Sequence, residues 1–423
     1  MSFLIDVAPL RDSRDLRLLL LGNFLSGIGT QAALVALPFQ VYVLTESAFL
    51  TGLLGAVELV PVTGMALLGG ALADRMDRRS MLLVAQLGLA ATAAALAVCA
   101  FAGSPPLVLL YVLGGLLAGL GAVNQVTRAA IVPNLVPRHH LKSALALNFG
   151  LGALARVLGP GLGGLIIAAW GVGAAYVVDA VSCLVMVAAL LPLAPQPPAG
   201  AHAELGMRRS IGEGLRYVRS RQALVGTLSI DFMAMTFGMP RVLFPVLALT
   251  VYDAGAAGTG LLYAAVSAGA TVAAVTTGWL VRARRLGRIV IGAVAVWGAA
   301  VAGAGLVGSV WPAAALLAVA GAADSVSTVC RHTINQSITP DHVRGRMTSI
   351  FSLVSTSGPR LGDVEAGTVA AIAGPQVSVL SGGLACVAGA AVIAVALPEL
   401  ARYDAARWIP EREGGRVPGR QPG

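Results

Sequence analysis

The stretch AFLTGLLGAVELVPVTGMALLGGALADRMDRR, residues 48–79, sets the character of the chain. From Ala48 to Ala73 the only ionisable residue is Glu58, and then Asp74, Arg75, Asp77, Arg78 and Arg79 follow at once. About 20 apolar residues cross a hydrocarbon core as a helix with every backbone group bonded internally. Charges then collect where the helix leaves the lipid. Working outward, the same alternation gives twelve apolar spans at 18–44, 48–73, 80–102, 106–128, 142–168, 173–194, 223–250, 256–281, 289–308, 311–332, 347–372 and 375–397. All 29 basic residues fall either in segments on one side of these spans or inside them. Arg156, Arg241 and Arg360 are the internal ones, and Arg331 is counted with Arg344 and Arg346 in a connecting segment. Such one-sidedness puts both termini on the cytoplasmic side of a cell membrane.

Composition agrees. The chain of 423 residues is 57% hydrophobic and only 12% charged, against roughly 25% charged in soluble domains. Its net charge of +9 follows the inner membrane surface, so the expected partner is anionic lipid and not nucleic acid. The first apolar run is too long for a signal-peptide core and is expected to remain as the first helix. Cys99, Cys183, Cys330 and Cys386 are widely spaced in apolar spans without CxxC, and His139–His140 have no carboxylate in ligand spacing, so neither a metal nor a disulfide framework is expected. No GxxxxGK[ST], HExxH or GxSxG pattern occurs. The chain is expected to be no enzyme, to need no cofactor, and to draw its energy from an ion gradient.

The chain repeats itself. Thr51-Gly52-Leu53-Leu54 opens span 2 and Thr259-Gly260-Leu261-Leu262 opens span 8; in each, a glycine (Gly70, Gly278) lies nineteen residues after the threonine. Arg128-x-x-Ile131-x-x-x-Leu135-x-Pro137-x-His139 matches Arg331-x-x-Ile334-x-x-x-Ile338-x-Pro340-x-His342. Both matches demand two six-span halves in the same orientation. The expected units are 1–195, a linker at 196–222, 223–398, and a tail at 399–423. Within the linker, Ile211, Leu215 and Val218 stand at helical spacing among arginines, predicting an amphipathic helix over Met207–Arg221 on the inner leaflet. The tail from Glu411 is Gly/Pro/Arg-rich and is expected to be disordered.

Gly70-x-Leu72-Ala73-Asp74-Arg75-x-x-Arg78-Arg79 resembles the loop signature of the major facilitator superfamily. With the twelve spans and the basic linker, the resemblance covers nearly the whole chain. It implies an all-α membrane protein with twelve transmembrane helices in two pseudo-symmetric six-helix bundles. It also implies that Asp74 latches the halves at the cytoplasmic face, near Arg346, in the outward-open state. A plain topological anchor is the other reading. The sequence departs from the pattern at Asp77, where the family has glycine, and at Arg282, which replaces the acidic residue in the second half. In span 5, Gly159-Pro160-x-x-Gly163-Gly164 resembles the antiporter signature of exporters, although Ala155 stands where the upstream glycine is expected. A structural kink is the alternative. In span 4, Gly115 replaces the arginine typical of proton-coupled drug exporters, which leaves Arg156 as the nearest candidate for that role.

Ionisable groups inside a membrane are costly and functional by default. Here they are Glu58, Arg156, Asp179, Asp231, Arg241, Asp324, Arg360, Asp363 and Glu365. Arg360 and Asp363, three apart on one face, are expected to pair, and Glu365 must point elsewhere. Gly358, Pro359 and Gly362 break that helix, so span 11 leads as the coupling or substrate element. Asp324 and Arg331 are seven apart, about 10 Å along the axis, too far for contact without a bridge. Asp231 and Arg241 are too far apart to pair. Asp179 reads as structural, and Glu58 as either coupling or packing. Asn23, Ser26, Thr30 and Gln31 form a polar stripe on span 1, expected to face a central cavity, with interhelical bonding as the alternative.

The pattern, with Leu145-Ala146-Leu147-Asn148 beyond the Arg128 motif, is similar to the enterobactin-exporter-like branch of the superfamily. That resemblance implies export of a small, partly apolar compound (siderophore, drug or other metabolite) by alternating access and proton antiport, by a monomer. Uptake or lysolipid movement on the same fold is the alternative, and a non-transporting membrane component a third.

Overall fold

A computed structural model describes residues 10, 12–73, 76–132, 135–196 and 216–404. The amphipathic helix expected in the linker lies outside these residues except for its last few, and the terminal stretch from Glu411 lies outside them altogether. Among the described residues the chain is helical without strands. The helices are α1 (Arg14–Thr45), α2 (Ala48–Ala73), α3 (Arg78–Phe101), α4 (Leu107–Ile131), α5 (Leu141–Trp170), α6 (Val172–Leu190), α7 (Gln222–Phe237), α8 (Phe244–Thr250), α9 (Gly255–Thr276), α10 (Leu286–Leu306), α11 (Val310–Ile338), α12 (Asp341–Ala373), α13 (Pro375–Ala396) and the short α14 (Pro398–Ala401).

Eleven stretches are long and apolar enough to cross a membrane, α7 and α8 together forming one of them. The twelfth expected span is α12. It has the length, 33 residues, but Arg360, Asp363 and Glu365 in its middle make it too polar to qualify by hydropathy alone. Packing against α2, α7 and α13 shields it instead. The outer faces of the other helices are apolar: Val98, Val108, Val275 and Val395 are each largely exposed, as a surface solvated by lipid tails requires.

The helix contacts repeat with a shift of six spans. In the first set α1 packs on α5 and α6, α2 on α4, and α3 on α4 and α6. In the second, α7 packs on α12 and α13, α9 on α11, and α10 on α11 and α13. Two long seams join the sets, α2 against α12 and α5 against α9. Both close at the face where α1 ends, the far face, and they do so without side chains. A Cβ on Gly52 would lie 2.5 Å from the Asp363 carbonyl oxygen and 2.9 Å from Gly367 Cα. On Gly260 it would lie 2.5 Å from the Pro160 carbonyl oxygen and 2.8 Å from Gly164 Cα. Only glycine admits such backbone approach. The repeated threonine has one local role too: Thr51 and Thr259 are both fully buried and donate to the carbonyls of Ser47 (2.8 Å) and Gly255 (3.1 Å). Toward the near face, where α1 begins, the α5–α9 seam parts. Gly150 lies on the same face of α5 as Gly161 and Gly164, about three turns away, and a Cβ there would meet open space.

Span 7, expected as one rod, is broken between α7 and α8. Gly238 and Pro240 interrupt it, and a 3-10 turn over Arg241–Leu243 restarts it. Pro240 has no N–H to continue the ladder. The freed backbone groups are caught elsewhere: buried Trp297 donates to the Gly238 carbonyl at 2.7 Å, and the Tyr263 hydroxyl to the Arg241 carbonyl at 2.9 Å.

Candidate functional site

At the near face, the superfamily-like loop is only partly described. Asp74 and Arg75 lie outside the described residues, as do the surroundings of Gly70 and the side chains of Arg344 and Arg346. What is visible there ties neighbours within the first six spans. Arg79, expected in the latch, donates to the last carbonyls of α6, Leu190 (2.9 Å) and Leu191 (2.6 Å), as a cation at a helix C-terminus does. Asp77 caps α3 by accepting the Ser80 N–H at 2.9 Å and also holds the Gln196 N–H. This explains an acid where the family pattern has glycine. The Arg78 backbone N–H joins the same turn, bonded to the Gln196 carbonyl at 3.1 Å.

Between the halves lies a cavity of about 100 Å³ lined by Gln31 and Leu34 (α1), Arg156 and Pro160 (α5), Arg241 and Phe244 (span 7), and Tyr263, Val266 and Ser267 (α9). Of the polar stripe on span 1, only Gln31 lines it. Asn23 and Ser26 are buried in helix packing, and Thr30 donates to Asp179 on α6 at 3.4 Å. For Ser26, bonded to Cys183, and Thr30 the interhelical reading replaces the cavity reading, because α1 lies in close contact with both α5 and α6. Asn23 is packed away from the cavity with its side-chain amide unpartnered among the described residues. In span 5, Gly159 and Gly163 admit α1: a Cβ would lie 2.5 Å from Gln31 Cβ on the first and 2.7 Å from Ala32 Cα on the second. Pro160 and Gly164 face α9. The motif is thus a two-sided seal beside the cavity.

Next to this cavity the α2–α12 seam carries charge. Gly55 is pressed onto the Arg360 carbonyl and Asp363 Cβ, and one turn further along α2 the Glu58 carboxylate meets the Arg360 guanidinium at 3.6 Å. The expected Arg360–Asp363 pair is therefore replaced by one that crosses between halves, because α2 lies directly against that face of α12. Asp363 instead accepts the backbone N–H of Val242, within electrostatic reach of Glu58, Arg360 and Arg241. It thereby ties α12 to the restart of span 7. Glu365, half-buried on α12, is not among the residues lining this cavity or the larger one beside Arg331.

A second constellation was not foreseen. Arg331, placed by sequence in a connecting segment, is only 4% exposed. Its guanidinium meets Asp231 of α7 at 2.9 Å and Asp324 at 3.7 Å, with Thr328 bridging the latter pair through bonds of 2.9 and 3.2 Å. The bridge overcomes the axial distance between residues seven apart. Ser355 of α12 donates to the other Asp231 oxygen at 2.8 Å. Three helices, α7, α11 and α12, thus share one buried network. Beside it, toward the near face, a larger cavity of about 380 Å³ is lined by His332, Asn335, Gln336 and Thr339 and by Met347, Phe351, Ser352 and Ser355. Its readable signal was the spacing 332, 335, 336, 339, a polar helical stripe. Among the described residues no group of His, Cys, Asp and Glu could hold a metal ion.

Two sets of six spans with matching contacts, sealed at one face and parted around polar cavities toward the other, define a transporter of the major facilitator superfamily. Comparison with known proteins narrows this. The family described as transmembrane secretion effector matches residues 5–413, and the chain belongs to it. It is 29% identical over 412 residues to the enterobactin exporter EntS of Salmonella typhimurium, covering 95% of this chain and 97% of that one. It is 28% identical to the Citrobacter koseri exporter, covering 97% and 98%. Among solved structures it resembles the nucleoside transporter NupG (TM-score 0.73, 11% identity, 92% and 100% covered). It also resembles a bacterial homologue of the lysosomal transporter Spinster in an inward-facing, unoccupied conformation (TM-score 0.67, 15% identity, 91% and 95% covered). At those identities the likeness concerns the fold. The protein is a multi-pass membrane transporter, not an enzyme.

Proposed function

We propose that this protein exports a small, partly apolar metabolite of the siderophore type from the cytoplasm across the cell membrane, by alternating access coupled to inward proton movement. The near face, where the basic segments collect, is then the cytoplasmic face, with both termini there, and the conformation is inward-open. Units 1–195 and 223–398 rock against each other on the linker, as a monomer in lipid, and need no cofactor beyond the proton gradient.

The observation that carries this reading is the Glu58–Arg360 pair across the α2–α12 seam, beside the central cavity. A proton on Glu58 removes one of the charges that join the halves there. A proton on Asp363 weakens its hold on the Val242 N–H and so loosens span 7, which carries Arg241. Protonation thereby alters contacts that differ between the closed and open seams, which is what coupling requires. Asp74, Arg75, Arg78 and Arg79 serve the opposite, outward-open state at the near face.

The test uses inverted membrane vesicles energised by an imposed pH gradient, with enterobactin as the first substrate. Wild type accumulates it, whereas Glu58→Gln and Asp363→Asn remain in the membrane but lose gradient-driven uptake. Unchanged proton-coupled transport in both variants overturns the mechanism, and absence of flux by the wild type with any siderophore overturns the export reading.

A further inference from the structure

We infer that the central cavity is a binding site for the anionic group of the substrate, a carboxylate or phenolate clasped between Arg156 and Arg241; this rests on the transport reading and names its substrate class. The two guanidiniums come from opposite halves, α5 and span 7, yet line the same cavity. Among the described residues no carboxylate lines it with them. Among the described residues neither arginine has a carboxylate within ion-pair distance, whereas Arg331 has two and Arg360 one.

The acids nearby are already engaged. Glu58 is held by Arg360, Asp363 by the Val242 N–H, and Asp324 by Thr328 and Arg331. Among the described residues, the partner of the Arg156 guanidinium is the face of Phe149, 5.9 Å from the ring centroid. Both arginine side chains are exposed rather than buried. Arg241 feels Asp363 and Asp324 without an ion pair to either, and two cations facing one space leave a place for a shared counter-charge. Gln31, Ser267 and Tyr263 add side-chain polar groups around that space, and Leu34, Phe244 and Val266 add apolar surface for the atoms behind the anion.

Size points the same way. Pockets that enclose a whole drug-sized ligand measure roughly 300–1,000 Å³, and this cavity of about 100 Å³ suits one head group. The rest of the molecule extends toward the parted near face. Because each half supplies one arginine, an anion placed between them bridges the parts that alternating access moves.

The experiment measures binding to the purified full-length protein in detergent by equilibrium dialysis, using three probes of matched size: 1-naphthoate, 1-naphthamide and 1-naphthylmethylammonium. Wild type is expected to bind the anion at least tenfold more tightly than either other probe. Arg156→Gln and Arg241→Gln each weaken naphthoate by about tenfold, as loss of a charge-assisted bond does, and Arg156→Lys and Arg241→Lys keep part of the affinity. Arg402→Gln, an exposed arginine on the near face, binds like wild type and controls for overall charge.

Equal binding of the three probes, no binding of any of them, or unchanged naphthoate affinity in both glutamine variants overturns the proposal. Elution of each variant as a monodisperse peak guards against misfolding. Direction and coupling play no part in this measurement. An anion preference lost in the glutamine variants, together with intact proton-coupled transport in both Glu58→Gln and Asp363→Asn, sinks the coupling mechanism and leaves the site standing. Full enterobactin export by an Arg156→Gln/Arg241→Gln double variant sinks the site and leaves the exporter.

Discussion

Gly260→Ala puts a methyl group where α9 rests on the backbone of α5. Its Cβ would lie 2.5 Å from the Pro160 carbonyl oxygen, 2.8 Å from Gly164 Cα and 3.0 Å from Gly164 N. Carbon sits comfortably at about 3.5–4.0 Å from such neighbours, so the helices must part by roughly 1 Å. All three atoms are backbone, and no rotamer change relieves the clash. Overpacking of this kind costs about 1–3 kcal/mol. The cost falls on the state sealed at the far face and not on the state parted there. The balance therefore moves toward the far-open state by roughly 5- to 150-fold. Leu34 reports it: this residue lines the central cavity and is 40% exposed. Leu34→Cys is introduced after Cys99, Cys183, Cys330 and Cys386 are replaced by alanine, and labelling by a membrane-impermeant maleimide is timed on whole cells. Labelling is expected to be slow in this parent and several-fold faster with Gly260→Ala. Gly150→Ala, where a Cβ meets open space, keeps the parent rate. Equal rates for the two alanine variants, at equal amounts in the membrane, would refute the view of the glycine seam as the closed gate.

Arg331→Met leaves Asp231 and Asp324 buried without their counter-charge; breaking a buried pair costs about 3–5 kcal/mol, read as a large fall in the melting temperature of the detergent-solubilised protein. Trp297→Phe removes the bond to the Gly238 carbonyl at the break in span 7 and costs about 1–3 kcal/mol for the orphaned acceptor, measured in the same assay. At Asp77 burial raises the carboxyl pKa, but bonds from Ser80, Gln196 and Arg79 outweigh it and hold the value below the ordinary range. A depressed folded-state pKa gives stability that is present above the unfolded value and lost as pH falls through the folded one. Asp77→Ala is thus expected to cost about 1 kcal/mol at neutral pH. Melting curves of the two proteins should keep that gap from pH 5 to 8 and converge only below about pH 4.

What could be read from sequence was whatever depends on local periodicity. The Thr-Gly-Leu-Leu repeat predicted two like halves, and its glycines are those that close the two seams. Gly159-Pro160-x-x-Gly163-Gly164 stood out in the sequence as an antiporter-like motif or a kink, and the structure shows two helix partners for it. Pairings between distant segments were not legible. Asp231 meets Arg331 across a hundred residues, and Arg360 turns from its near neighbour Asp363 to Glu58 because α2 happens to abut there. Arg331 was mistaken for a surface charge because the apolar run fades at its position, although the helix itself continues to Ile338. The break in span 7 had its signal in Gly238 and Pro240. Hydropathy alone passes over it, since broken and unbroken helices are equally apolar.

Along α2, Gly52, Gly55 and Glu58 follow one another at three-residue steps, a single ridge set into α12. The last glycine and the carboxylate are separated by about 4.5 Å of helix rise, so they cannot move independently. Any tilt that lifts Gly55 off the Arg360 carbonyl also stretches the Glu58–Arg360 contact from its present 3.6 Å. Coulomb attraction falls as the inverse of distance, so a displacement of the same size as that spacing halves it. Under the coupling proposed above, the arrangement is a lever with a very short arm: hydrogen-ion activity pulls at one end, the outer doorway hangs from the other, and no relay of intervening side chains is needed between them.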